Sequence, residues 1–166
     1  MIRFFLSCVP PTSSHHHKKI VRFRLKGGQQ ITRLADRPEL VEAKETLESL
    51  LLPFQPPAPL DGPVMLRVTF TWPFLKSHPK RFRAQGLQFH TSKPDCTNVI
   101  KTLEDRLVAL RFLTDDRSVV DIHVRKFWGH RPGIKVEITP AVYEQADFEG
   151  ATPPASAEAP LLEGIG

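Results

Sequence analysis

Apolar residues recur at every second position in some stretches and at every third or fourth in others, and this change of period sets out the elements. Residues 2–9 form an apolar, β-prone run that predicts a first strand, closed by the breaker segment Pro10-Pro11-Thr12-Ser13-Ser14. Residues 20–26 alternate apolar and basic side chains up to a turn at Gly27-Gly28. One face of that strand is expected to pack while Arg22, Arg24 and Lys26 offer cations; an exposed edge hairpin guarded by its charges is the structural alternative. Asp36-Arg37-Pro38-Glu39 marks a helix start, with Asp36 as cap and Pro38 in the first turn. Leu40, Ala43, Leu47, Leu50 and Leu51 carry the helix to about residue 52, with Glu39, Glu42, Glu45 and Glu48 on a solvated face. Residues 53–63 are Pro-rich and predict an extended connection. In 64–72, Val64, Leu66, Val68 and Phe70 share one face of a strand that Pro73 ends.

Pro94 cannot donate a backbone N–H and disfavours helix at the residue before it, so the next helix begins after it. Asp95 is placed to cap that helix by accepting from the free N–H groups of the first turn. Val99, Leu103, Leu107 and Leu110 form its buried stripe, and Asn98, Lys101 and Asp105 gather on roughly the opposite side. Residues 118–127 read as a strand with Val120, Ile122 and Val124 on one face and Asp121, His123 and Arg125 on the other. His123 follows the strand alternation and is read as structural. A turn at 129–133 returns the chain through 134–138, which predicts a hairpin of the last two strands. The order predicts an α+β fold: one domain over 1–140, with a mixed β-sheet of about four or five strands and two main helices packed on it.

Charge refines this picture. All 23 Lys and Arg lie before residue 141 against 13 acids, so the body carries +10, while the five acids of 141–166 give that stretch −5. A basic body argues for a polyanionic partner. The stretch beyond Pro140, dominated by Ala, Pro, Glu and Gly, reads as a disordered tail. No apolar run is long enough to cross a membrane, and Pro10-Pro11 cuts short the run that could have formed a signal peptide. Cys8 and Cys96 lack metal-ligand spacing and fit two free thiols in a reducing cytosol. His15, His16 and His17 are adjacent, so their side chains do not converge as spaced ligands do. With Lys18, Lys19, Arg22 and Arg24 they read as a mobile basic arm. Residues 76–93 form a basic loop with Lys76, Lys80, Arg81, Arg83 and Lys93 and no acid, leading directly to Asp95. Cations there suit a protein that holds a phosphate backbone.

Asp95 as a mere cap, with Lys101 and Asp105 as a solvated ion pair worth about 0.2–0.5 kcal/mol, is the structural reading of the second helix. Asp115-Asp116, where a loop feeds the following strand, favours a functional one. Hard oxygens from a helix start and a nearby loop are the donors Mg²⁺ takes, since it uses few carboxylates and keeps several waters.

Lys93-Pro94-Asp95-x-x-Asn98-x-x-Lys101, then Asp105, Asp115-Asp116 and a Val119-Val120-Asp121 strand running to Lys126, resembles the RusA family. The likeness is gapless from Lys93 to Lys126, looser through Pro132-Gly133-Ile134 to Thr139, and weaker at the N-terminal strand and its Pro-Pro turn. The resemblance implies a small dimeric, Mg²⁺-dependent Holliday junction resolvase of phage or prophage type, working in the bacterial cytoplasm, with Mn²⁺ able to substitute. It implies Asp95 and Asp116 as metal ligands, with Asp115 nearby, and Lys101 as the lysine essential for cleavage. Asn98 would orient a ligand. Lys18, Lys19, Arg22, Arg24, Lys80, Arg81, Arg83, Lys93 and Lys126 would contact DNA. Thr97 stands where the family usually has a second aspartate, and could ligate only through its hydroxyl or a water. Two other readings stay open: a branched-DNA-binding protein with impaired catalysis, and a basic adaptor whose acids only cap and pair.

Overall fold

The most apolar strand takes the centre. Val64, Leu66, Val68, Phe70 and Trp72 are all buried, and the strand that carries them, β4 (Val64–Pro73), has a partner on each edge. The computed structural model describes residues 1–12, 18–24 and 26–142, so the His15–His17 run and the stretch beyond 142 lie outside the described residues. The elements are β1 (Ile2–Leu6), β2 (Lys18–Arg24), β3 (Gln30–Asp36), α1 (Pro38–Leu51), β4, a short α2 (Lys80–Ala84), β5 (Gln88–Phe89), α3 (Cys96–Ala109), β6 (Val119–Gly129) and β7 (Gly133–Pro140). The main sheet has the order β1-β7-β4-β6-β5, with β4 parallel to β6 and every other neighbouring pair antiparallel. A parallel pair needs a crossover, and α3 lies in it. The fold is α+β, as the periodicities predict: a mixed five-stranded sheet with two 14-residue helices.

Leu47 and Leu51 of α1, with Val99, Ile100, Leu103 and Leu107 of α3, join Phe4, Leu6, Ile134, Val136, Ile138 and the β4 side chains in one core. Arg106 of α3 pairs with Glu48 of α1, which removes Glu48 from the solvated face expected of the α1 acids. On the sheet's other face Arg67, His123 and Arg125 reach solvent; Arg67 alternates with the buried β4 residues, whereas in β6 Val120 and Ile122 are themselves 61% and 44% exposed.

Several expectations are corrected. β6 and β7 do not pair with each other; β4 lies between them. The four steps from Gly129 to Gly133 can reach about 13 Å, enough to cross two strand spacings of about 4.8 Å each past the end of β4. Burial of β4 on both edges outweighs the local hairpin. Gly133 is required at the crossing, because a Cβ there would lie 2.1 Å from the Phe5 ring. The first strand ends at Leu6 rather than at residue 9. Asp36 does not cap α1: the N-cap is Arg37, with no side-chain cap bond, and Asp36 closes β3 and pairs with Lys44. The 53–63 connection begins with a 3-10 turn at Leu52–Phe54 and is joined to the loop after α3 by an isolated bridge between Leu60 and Leu113. The basic stretch 76–93 carries α2 and β5 rather than loop alone.

β2 and β3 form a separate two-stranded sheet. Neither face packs closely: Phe23, on the face expected to pack, is 51% exposed, and Ile20 and its partner Leu34, on the face of Arg22 and Arg24, are 65% and 70% exposed.

Candidate active site

The head of α3 is fixed from outside the helix. Lys126 of β6 donates from Nζ to the Ser92 carbonyl at 2.7 Å and also to the Pro94 carbonyl. The His90 N–H returns a bond to the Lys126 carbonyl at 3.0 Å. His90 is buried and stacks on Trp128 with ring centroids 3.9 Å apart. Burial, and then the Lys126 charge, hold its imidazole below the ordinary histidine range. The Lys93–Pro94 peptide is cis, and Pro94 itself is buried. This turn sets Asp95 at the N-cap with extended backbone (φ −74°, ψ 154°). Its carbonyl accepts from the Asn98 and Val99 N–H groups, both at 3.2 Å. Its carboxylate makes no capping bond, contrary to the sequence expectation, and stays exposed and uncommitted.

Six residues on, Lys101 stands about 9 Å further along the helix axis, at about 1.5 Å rise per residue. Its ammonium gathers three carboxylates: Asp116 Oδ2 at 3.0 Å, Glu104 Oε2 at 3.2 Å and Asp105 Oδ1 at 3.2 Å. Lys101 is held well above the ordinary lysine range, first by the bond to Asp116; partial burial opposes this, and Asp105 and Glu104 add to it. Asp116 reaches the cluster from the 3-10 turn Asp116–Ser118 that precedes β6.

The adjacent acids part company. Asp115 turns both oxygens to Arg117, accepting from its backbone N–H at 2.9 Å and from its guanidinium at 3.0 and 2.9 Å. Arg117, through its side chain and then its N–H, keeps the Asp115 carboxyl well below the usual carboxylate range. The structure thus gives Asp115 a turn-capping role. Thr97 is exposed, one turn before Lys101 on the same side of α3, and Asn98 is half-buried beside it.

Of the basic residues, Lys19, Arg22, Arg24, Lys80, Arg81 and Lys93 are exposed. Lys18 lies in β2 opposite Asp36. Arg83 is used internally, donating to the carbonyls of Leu75, Lys76 and His78. Lys126 is likewise spent on the 92–94 turn.

The sequence reading missed Glu104. It is 8% exposed, among the few buried charged residues, and its i,i+3 spacing from Lys101 was the available signal. The neighbouring Leu103 and Asp105 drew the buried and polar stripes past it.

Among the described residues no three His, Cys, Asp or Glu side chains close around one point as a ready metal cage. Mg²⁺ does not require one: it is held by one or two carboxylates, with waters and substrate phosphates completing its shell. The free Asp95 carboxylate and the half-exposed Asp116 are donors of that chemical kind. The donor set fits a hard divalent ion in chemical kind alone: Asp116 Oδ2 is paired with Lys101, and Asp95 stands at the helix head.

A mixed sheet with a crossover helix, headed by an uncommitted aspartate and carrying a lysine among acids, defines an α+β protein with an acidic, lysine-centred site. The chain belongs to the RusA endodeoxyribonuclease family, whose pattern it matches over residues 9–139. It is similar to the crossover junction endodeoxyribonuclease rusA of Lactococcus phage r1t, 29% identical over 94 residues, which cover 57% of this chain and 69% of the phage protein. It is also similar to the uncharacterized protein YqaN of Bacillus subtilis (strain 168), 36% identical over 89 residues, 51% of this chain and 62% of that protein. Among the described residues no helix is long and apolar enough to cross a membrane.

Proposed function

We propose that the protein is a Mg²⁺-dependent endodeoxyribonuclease that resolves four-way DNA junctions by paired symmetric nicks, acting as a homodimer in recombination or repair. The observation that carries this reading is Lys101 held at 3.0–3.2 Å by Asp116, Glu104 and Asp105, on the helix headed by the free Asp95 carboxylate. The printed name of the phage relative supplies the substrate class.

Asp95 and Asp116 would hold the cation, Mg²⁺ or in its place Mn²⁺, with the Thr97 hydroxyl as a weaker neighbour. The chemistry supplied by a bound ion would be polarisation of the scissile phosphate and a more acidic water. Asn98 orients the phosphate or a ligand. Lys101 meets the negative charge that develops on the phosphoryl oxygens in the transition state, where a fixed cation counts for most. Asp115 supports Asp116 by fixing its turn. Lys18, Lys19, Arg22, Arg24, Lys80, Arg81 and Lys93 take the phosphate backbone, which positions DNA without reading its sequence. Arg83 and Lys126 act on DNA indirectly, through the turns they hold. Two sites in a dimer would address the two opposed strands of the junction. A bacterial cytoplasm, entered by way of a phage or prophage, is the setting.

The test is cleavage of a labelled synthetic four-way junction with and without Mg²⁺. The wild-type protein cuts only with the ion, and Asp95→Asn binds the junction but does not cut it. Binding with no cutting under any divalent ion would leave the second reading, a branched-DNA-binding protein, which the threonine at position 97 favours.

A further inference from the structure

Glu104 is the buried member of the Lys101 cluster. Its side chain is 10% exposed, against 37% for Asp105 and 49% for Asp116. It sits on α3 between the core residues Leu103 and Leu107, so its backbone is fixed by packing. A carboxylate taken out of water must keep a cation partner, and the partner Glu104 has is the Lys101 ammonium. The constraint runs both ways: Lys101 cannot swing far without leaving a buried charge unpaired. Asp116 offers no such guarantee, because it comes from a separate turn and is half exposed.

Position 97 lies one turn before Lys101 on the same stripe of α3, with an acid there standing i,i+4 to the lysine, the favourable order for a helical ion pair. This chain has threonine at that position and glutamate three residues after Lys101.

We propose that Glu104 is a positioning residue that anchors the Lys101 ammonium, doing from the buried side what an aspartate at position 97 would do from the helix head. The proposal rests on the reading of Lys101 as the residue that meets the developing charge, but its anchoring half can be tested without catalysis.

The experiment compares wild type, Glu104→Gln, Glu104→Leu and the double variant Thr97→Asp/Glu104→Gln, all as full-length chains. Leucine at 104 suits its apolar surroundings and guards against a Gln variant that fails to fold. NMR relaxation of the Lys101 Cε methylene, in protein free of DNA and metal, reads the anchoring directly. The order parameter falls in both single variants and recovers in the double variant. In junction cleavage the single variants lose up to about 100-fold in kcat with KM little changed, as misplacement of a charge-stabilising group does, and the double variant regains most of it. An unchanged Lys101 order parameter in both single variants, or no recovery on adding Asp at 97, overturns the proposal. If the order parameters behave as stated while no protein, wild type included, cuts a junction, the anchoring stands and the nuclease reading falls.

Discussion

The head of α3 and the β2–β3 hairpin both carry cations, which the proposed function directs to one polyanionic substrate, yet they are built by opposite rules. In α3, Leu103 and Leu107 are fully buried, Lys126 staples the preceding turn to β6, and three acids pin Lys101. In the hairpin, Ile20 and Leu34 face each other across the ladder at 65% and 70% exposure, and Lys19, Arg22 and Arg24 reach solvent. A lone two-stranded hairpin is at best marginally stable in water. Under the proposed function the difference separates two tasks. Bond cleavage needs side chains held to a fraction of an ångström, whereas backbone contact tolerates an arm that adapts to the duplex.

Deletions in the two regions should therefore differ most in stability. Leu107→Ala, at a site with no exposure, should cost about 2–5 kcal/mol in denaturant unfolding, while Leu34→Ala should stay within about 0.5 kcal/mol. Equal costs would mean that the hairpin packs against the body in solution. DNA binding should invert the order. Removing Arg22 and Arg24 together should lower the slope of log affinity against log salt by about 2 while leaving the unfolding midpoint unchanged.

The smallest effect concerns acid. The Arg117 contacts depress the Asp115 carboxyl, so they favour the fold with the group ionised. That contribution is complete above the ordinary aspartate range and fades as pH falls through the lower folded value. Asp115→Asn should lower the melting temperature slightly at neutral pH, where the contacts are complete, and converge with wild type in strong acid, where wild type has lost them too. A pH–stability curve from neutral to strongly acid, identical for both proteins, would refute the coupling.

What could be read from sequence follows the same division. Local rules located α3, because Pro94 bars helix before it and the Val99–Leu103–Leu107 period needs no long-range knowledge. They located β4 by its alternation and marked Asp95, Lys101 and the Asp115-Asp116 pair; the family resemblance picked Asp116 from that pair, and it meets Lys101 at 3.0 Å. They failed where partners are distant. The Asp36 side chain is taken by Lys44 instead of the helix N–H groups, and β4 inserts between two strands that a short link joins. Glu104 escaped notice because a buried glutamate looks in sequence like any solvated one; only the lysine one turn away marks it. The hairpin alternates like a packed strand, but nothing in its own residues says that the body offers no surface to cover it.

The central claim is that acids from the α3 head and the pre-β6 turn, with Lys101 between, form a DNA-cutting centre. The most direct measurement is Mg²⁺-titrated cleavage of an end-labelled four-way junction by the purified protein beside Lys101→Met and Asp116→Asn. Paired, symmetric nicks from wild type, abolished in both variants with junction binding retained, are predicted. Undiminished cutting by both variants would contradict the claim.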